Sequence, residues 1–337
     1  TPIDEYLKDD YGNPQALDKS ADGNKTFTIK VADDLVYSDG TPITAKDYVV
    51  GTVAGLTPVY TEAAGLESSG LTIVGWKDAF QKYTGPDSEE GVKFLSGIRL
   101  IDEYTFSATI SADYLPYFYD ITYASFGPTF PAMLLGDADI KDDGEGCYLT
   151  DEFYAKDGDN YVVAAIIKDT YTNVTEEGYA KYPYSGAYCV KSFDTTDSTA
   201  VLVANKNFKG NYEGVKPGIE TIVYKKVVSA TQMEDFKAGG LDVIAGITGG
   251  KETDEALAYA DASEGKAVYT HYSRAGYGKL GFRGDYGPAQ FVAVRQAIAY
   301  CMNRGQFAKD FTGGYYGPAG EYIREYIEFA DRMLRRE

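Results

Sequence analysis

The most informative stretch of the sequence is TFTIKVADDLVYSDGTPITAKDYVV, residues 26–50. Its beginning, Thr26–Val31, alternates apolar and polar side chains, and a period of two predicts a β-strand with one buried face. The residue types of Ser38–Pro42 predict a turn. Thr44 then begins a helix, and Asp47 three residues later forms an imperfect capping box with it. The stretch therefore predicts a strand, a turn and a capped helix in direct succession.

A second clear unit lies in the later part of the chain. Ile219–Val228 is rich in β-branched residues and predicts a strand, while Leu241–Ile247 is a second apolar run. Between them Ser229 and Gln232 form a full capping box, and Gly239–Gly240 is a typical helix end. Strand, helix and strand in so few residues predict a right-handed βαβ crossover with parallel strands, so the predicted fold class is α/β.

The remaining elements are predicted from periodicity and turn residues. Residues 136–160 are acidic and rich in glycine, which predicts surface loops, and Tyr114–Ile121 is rich in aromatic residues without a predicted role. The other predicted elements are hairpins at Ile98–Ile101/Tyr104–Ile110 and Ala187–Phe193/Ala200–Ala204, a buried strand at Tyr161–Ile167, strands at Ala267–Tyr272 and Tyr277–Phe282, and helices at Ser88–Leu95, Glu252–Ala260, Phe291–Asn303 and Glu321–Arg336.

Length and charge restrict the classes of function. A chain of 337 residues corresponds to about two domains at ~150 residues each. It carries 51 acidic and 32 basic residues, a formal net charge of −19. Such a charge repels a phosphate backbone and an anionic membrane surface, so we expect no nucleic-acid partner and no electrostatic docking on membranes.

The supply of histidine and cysteine excludes several kinds of catalytic or metal site. His271 is the single histidine, so a three-histidine zinc site and an HExxH pair are impossible. Cys147, Cys189 and Cys301 form no CxxC pair. The acidic stretch Asp137–Asp143 departs from an EF-hand loop, and an irregular calcium site there stays open. We expect no catalytic residues, no metal and no cofactor, which favours a binding protein.

Three stretches together resemble one family, the extracellular solute-binding proteins of bacterial ABC importers, family 5, of the oligopeptide, dipeptide and nickel class. The first stretch is residues 26–49, which is similar to the family's "DGtpvTAeDvv" signature. The second stretch is Tyr184–Phe193 together with Val201–Phe208. In it Ser185, Ala187 and Phe208 stand where the family has glycine, proline and tyrosine. The matching segments are residues 26–49, Tyr184–Phe193 with Val201–Phe208, Phe236–Val243 and Phe291–Arg304.

The resemblance implies a type II periplasmic-binding-protein-like fold with several lobes, present here in part. Residues 1–183 resemble the family's second domain, a small α/β lobe. Residues 184–310 resemble its first domain, which contains the crossover. Residues 311–337 are either the start of a third lobe or an unmatched helical tail.

The resemblance also implies a function without catalysis. We expect a monomeric, extracellular or periplasmic protein, anchored through a lipid on a segment before Thr1. It captures a solute, most simply an oligopeptide, by lobe closure between tyrosine-rich walls and delivers it to a membrane permease. By their position before the last matching helix, Tyr272, Tyr277 and Arg283 are the predicted ligand-contacting residues. The alternatives are a glycan hydrolase with a carboxylate pair and a surface binding module without a role in transport.

Overall fold

The structure is a computed structural model that describes residues 23–64, 68–77, 79–172, 182–247, 249–270, 281–303 and 305–306. The chain divides into two compact units, Thr1–Lys226 and Val227–Glu337. In unit 1 the described strands are β1 (Lys25–Lys30), β2 (Phe94–Leu95), β3 (Ile98–Asp102), β4 (Thr105–Ile110), β5 (Ile140–Asp142), β6 (Cys147–Leu149), β7 (Lys156–Asp157), β8 (Asn160–Tyr161), β9 (Tyr188–Asp194), β10 (Thr199–Ala204) and β11 (Thr221–Tyr224). The described α-helices are α1 (Ala45–Gly55), α2 (Pro58–Ala64), α3 (Ala132–Leu135) and α4 (Val162–Thr172) in unit 1, and α5 (Gln232–Lys237), α6 (Gly250–Ala262) and α7 (Val292–Cys301) in unit 2.

The first sheet of unit 1 is antiparallel, with the strand order β1-β4-β3. β1 pairs with β4 along its whole length, from Lys25 opposite Ile110 to Lys30 opposite Thr105. β3 and β4 form the hairpin expected around Asp102. Both the strand prediction at residues 26–31 and the hairpin prediction are confirmed.

Helix α1 packs on this sheet because its apolar side chains recur at helical spacing. Val49, Val50 and Val53 are fully buried in the core of unit 1. At its beginning, the carboxylate of Asp47 accepts hydrogen bonds from the backbone N–H of Thr44 at 2.8 Å and from the Thr44 hydroxyl at 2.7 Å. The predicted capped helix is confirmed, with the Asp47 carboxylate accepting the backbone N–H of the N-cap residue Thr44.

A second antiparallel sheet, in the order β2-β6-β5, corrects two predictions. Residues 136–160 are not merely surface loops, because Ile140 and Leu149 of this sheet are almost fully buried. The predicted helix Ser88–Leu95 is wrong as well. Gly91 has a φ of +82°, and a Cβ there would lie 2.6 Å from the carbonyl oxygen of Ala79. Such a left-handed residue ends a helical path.

Of the apolar run Tyr161–Ile167, Tyr161 ends β8 and the residues from Val162 onward are helical, so the buried strand predicted there is wrong. Val163 and Ile167 are buried while Val162 is 44% exposed, which is the burial pattern of a helix with one face in the core. An apolar run of seven residues fits a buried strand and a helix equally well, so its periodicity cannot separate them.

The third sheet of unit 1 has the order β9-β10-β11 and is again antiparallel throughout. The predicted hairpin of β9 and β10 is confirmed, with a bulge between Val201 and Leu202. The predicted strand at Ile219–Val228 is shorter, since β11 covers only Thr221–Tyr224 and pairs antiparallel with β10.

In unit 2, the helix of the predicted crossover forms as α5, but its N-cap is Thr231 without a side-chain cap rather than the predicted Ser229, and residues 241–247 are not a strand. Val243 is 76% exposed. An apolar run forms a strand only where its backbone N–H and C=O groups can pair with those of a neighbouring strand. The predicted crossover is therefore wrong for the described residues. Lys237 of α5 donates to Glu255 of α6 at 2.7 Å, and the predicted helices α6 and α7 are confirmed. Within the described residues, no helix combines the length and apolar character needed to cross a bilayer.

Candidate functional site

The structure describes one of the three residues predicted to contact a ligand. Tyr272 and Tyr277 lie outside the described residues. Arg283 lies in unit 2, where its guanidinium donates a hydrogen bond to the carboxylate of Asp285 at 3.1 Å. The guanidinium carbon Cζ lies 5.6 Å from the ring centre of Tyr286. Its side chain is 77% exposed, so its remaining N–H groups are open to an acceptor. Whether the three residues form one site stays a prediction.

In unit 1 the two most conspicuous signature segments contact each other at Ser38. The N–H of Ser38 donates to the carbonyl oxygen of Tyr184 at 2.8 Å, and the N–H of Tyr184 donates to the Ser38 hydroxyl at 3.0 Å. The side chain of Asn207 donates to the carbonyl oxygen of Ser38 at 2.9 Å, and that of Asn205 donates to Gly186 at 2.9 Å. Segments that are 146 positions apart in sequence are thus fixed to each other by backbone and amide groups.

Tyr37, the residue before Ser38, is fixed in the core of unit 1 by its own contacts. It is 1% exposed, and its phenol donates to the carboxylate of Asp47 at 2.7 Å. Phe130 packs edge-on against Tyr37 at 5.2 Å and lies 5.9 Å from Tyr182. Burial, followed by the hydrogen bond and charge of Asp47, raises the pKa of Tyr37 far above its usual range. The phenol therefore remains a donor, and the turn and the helix are joined.

An exposed group of aromatic side chains lies between β4 and α3, in the run that the sequence marked as aromatic-rich. We call Tyr117, Phe118, Tyr119 and Ile121 the aromatic surface; they are 43%, 85%, 59% and 54% exposed. Tyr117 stacks on Tyr123 at 5.2 Å, and Phe118 meets Tyr119 edge-on at 4.7 Å. The composition of the run was the available signal, but only the structure shows that these rings face solvent.

The aromatic surface is held in place by a mostly buried ion pair. Asp120, between Tyr119 and Ile121, accepts a hydrogen bond from Lys25 of β1 at 2.6 Å, and the two side chains are 18% and 13% exposed. Lys25 also lies 4.7 Å from the ring centre of Phe27. The segment that carries the exposed rings is therefore attached to β1 through this ion pair.

The acidic stretch 137–143 pairs with cations of the protein. Asp139 binds Lys46 at 2.9 Å, and Asp142 accepts hydrogen bonds from both Nε and an Nη of Arg99 at 2.8 and 3.0 Å. Beside this acidic stretch lies an open cleft of about 410 Å³, which is lined by both lysine and carboxylate side chains. Among the described residues no three histidine, cysteine or carboxylate side chains are placed to hold a metal ion.

Comparisons with known proteins give a consistent family. The family model described as "Bacterial extracellular solute-binding proteins, family 5 Middle" matches residues 14–333, nearly the whole chain. Comparison with curated proteins gave no significant match.

Solved structures show the same fold. Lactococcal OppA, complexed with an endogenous peptide, is 20% identical with a TM-score of 0.54, covering 89% of this chain and 49% of its own. Haemophilus influenzae OppA, in complex with RPPGFSPFR, is 16% identical with a TM-score of 0.50, covering 92% and 51%. The periplasmic EDTA-binding protein EppA is 16% identical with a TM-score of 0.53, covering 86% and 44%.

The chain thus spans about half the length of these solved proteins. The likenesses confirm the predicted α/β fold of the type II periplasmic-binding-protein class, of which the chain represents a part. Since the family model covers almost every residue, the chain belongs to the bacterial extracellular solute-binding proteins of family 5.

Proposed function

We propose that this protein captures an oligopeptide outside the bacterial cytoplasm and delivers it to the permease of an ABC importer. The observation that carries the proposal is the family match across residues 14–333. It is supported by the hydrogen bonds between Ser38 and Tyr184, because these residues belong to the two segments that match the family's motifs.

The choice of a peptide as solute is supported by the likeness to two oligopeptide-binding proteins whose structures hold peptides. EppA, of similar fold, is named as binding EDTA, so a metal chelate is the competing class of solute. The exposed tyrosine and phenylalanine side chains of this chain favour a peptide, because rings bind apolar and peptide groups alike.

In the proposed mechanism, closure of the lobes buries the peptide between tyrosine-rich walls, and backbone groups pair with it. Tyr272 and Tyr277 contribute to these walls. The exposed guanidinium of Arg283 pairs with a carboxylate of the solute, for which its planar geometry is suited. We take as lobes the residues 1–183 and 184–310 predicted from the resemblance, with 311–337 as either the start of a third lobe or an unmatched helical tail, and no bond of the solute is made or broken.

The proposal includes the cellular setting. The protein acts as a monomer on the extracellular or periplasmic side, anchored through a lipid, and its partner is a membrane permease. The family belongs to substrate-binding transport proteins, which supports this setting.

A thermal-shift screen of the purified protein tests the proposal. The panel contains di-, tetra- and nonapeptides, Fe(III)-EDTA, a nickel–histidine complex and oligosaccharides. A peptide present at 100 times its Kd stabilises the folded state by about 2.7 kcal/mol, which raises the Tm measurably. The variant Arg283→Ala should weaken peptide binding about tenfold, as expected for a charged hydrogen bond of ~1.5 kcal/mol.

Lys251→Ala is the matched control, since it removes one exposed positive charge of the same unit and should leave binding unchanged. Stabilisation by chelates alone would contradict the peptide assignment. Stabilisation by no solute would contradict capture altogether, and cleavage of an oligosaccharide would show an enzyme.

A further inference from the structure

The part of the chain that carries the aromatic surface is strongly one-sided in charge. Residues 100–140 contain six carboxylates and no lysine, arginine or histidine. Asp120 and Asp139 are paired with Lys25 and Lys46. The whole chain has a net charge of −19, so the field around this surface attracts cations. The six are Asp102, Glu103, Asp113, Asp120, Asp137 and Asp139.

The rings themselves present suitable partners for a cation. The face of an aromatic ring is negative, and a lysine or arginine within about 6 Å of its centre is attracted to it. Elsewhere this protein already uses such contacts, with Lys93 at 4.2 Å from Tyr148 and Lys156 at 4.5 Å from Tyr161. No described lysine or arginine lies over Phe118 or Tyr119, and these two rings are 85% and 59% exposed to a cation from another molecule.

Charge decides which kind of molecule fits. The net charge of −19 opposes the approach of an acidic peptide or an anionic lipid. A purely apolar partner would gain nothing from the negative charge of the chain. A lysine or arginine side chain satisfies both the rings and the charge, because its aliphatic stem packs on apolar surface while its head stays polar.

We propose that the aromatic surface binds the lysine and arginine side chains of a peptide solute, so that this protein prefers cationic peptides. This inference rests on the proposed capture of peptides. Phe118 and Tyr119 supply the rings, Tyr117 meets Tyr119 edge-on while stacking on Tyr123, and the Lys25–Asp120 pair holds the segment against β1.

Isothermal titration with three tetrapeptides, Ala-Ala-Arg-Ala, Ala-Ala-Gln-Ala and Ala-Ala-Glu-Ala, tests the inference. The arginine peptide should bind about 2- to 30-fold more tightly than the glutamine peptide, the range expected from cation–π contacts. The glutamate peptide should bind most weakly. The variant Phe118→Ala should reduce the arginine preference towards unity without weakening the glutamine peptide, and Tyr119→Ala should do the same in part.

Tyr212→Ala is the matched control, because Tyr212 is 95% exposed in the same unit and lies outside the aromatic surface. Circular dichroism confirms that each variant is folded, which is expected for exposed positions. Raising the salt concentration should also reduce the arginine preference.

The outcomes separate this inference from the proposed function. If the tetrapeptides bind with equal affinity, or if Phe118→Ala keeps the full arginine preference, the inference is wrong while peptide capture stands. If no peptide binds in the wider screen, both are wrong. A dimer in light scattering that Phe118→Ala converts to a monomer would show that the surface binds a second copy of the chain, which also overturns the inference.

Discussion

Replacing Asp47 with alanine removes three hydrogen bonds in a place where water cannot substitute for them. Asp47 is 5% exposed, and its carboxylate accepts from the Tyr37 phenol and from the N–H and hydroxyl of Thr44, all within 2.7–2.8 Å. The variant leaves the Tyr37 hydroxyl buried without its acceptor and opens the cap of α1. Asp47→Ala should therefore destabilise unit 1 far more than an ordinary surface substitution.

The magnitude follows from two separate losses. Loss of a helix cap costs about 1 kcal/mol. A buried hydroxyl left without an acceptor costs about 1–3 kcal/mol, so the free energy of unfolding should fall by about 2–4 kcal/mol. Asp47→Asn should lie between wild type and Asp47→Ala, because its side-chain oxygen still accepts from Tyr37 while its amide can no longer accept from Thr44.

Urea unfolding followed by far-ultraviolet circular dichroism measures these changes. Asp39→Ala is the matched control, because the exposed Asp39 accepts only the N–H of Thr41 at 2.9 Å among the described contacts, and it should cost less than about 0.5 kcal/mol. A double-mutant cycle with Tyr37→Phe should show coupling with Asp47 of about 0.5–3 kcal/mol. If Asp47→Ala lowers the free energy of unfolding no more than Asp39→Ala does, then Asp47 does not link the turn to α1 in the way described, and the reasoning is refuted.

Two further predictions concern ionisable groups in the second sheet. Burial raises the pKa of Asp142, but the hydrogen bonds from Arg99 and the N–H groups of Gly144 and Leu100 lower it more, so its pKa lies below the usual value. The pair therefore adds stability above the unfolded pKa of about 3.9 and loses it as the pH falls through the lower folded pKa. Arg99→Ala should lower the stability at pH 7 and flatten its decline below pH 4 in urea titrations, and an unchanged acid limb would contradict this. Burial also raises the pKa of the Cys147 thiol far above its usual range. The reagent dithiobis(nitrobenzoate) should therefore label the exposed Cys301 in the native protein and Cys147 only after unfolding. Rapid labelling of Cys147 in the folded protein would contradict its burial in the second sheet.

The sequence misled where a pattern was compatible with two environments. The run at 161–167 is apolar enough for a buried strand, and only the packing of Val163 and Ile167 in the core makes it a helix. Residues 136–160 carry so many charges that they predict solvent exposure. In the structure Arg99 neutralises Asp142 from a strand 43 positions earlier, and such pairing is invisible to any local window.

The candidate site shows the same division. The aromatic composition of residues 114–121 is visible in the sequence, but aromatic residues also occur in buried cores. The structure shows that Phe118 is 85% exposed and that its segment is tied to β1 by the Lys25–Asp120 pair, whose members are 95 residues apart in sequence. The predicted residues Tyr272, Tyr277 and Arg283 follow from position in a family pattern, so their shared role remains a prediction.

Local physics thus determined the strand at 26–31, the capped helix after Thr44, the two hairpins and, through the signature segments, the family. These features depend on side-chain periodicity, capping and turn residues, which act over a few neighbouring positions. Tertiary structure alone decided that Ser38 contacts Tyr184, that the acidic stretch forms ion pairs and that the aromatic rings face solvent. Each of these depends on contacts between distant parts of the chain, and their free energies come from burial and pairing that no short segment possesses by itself.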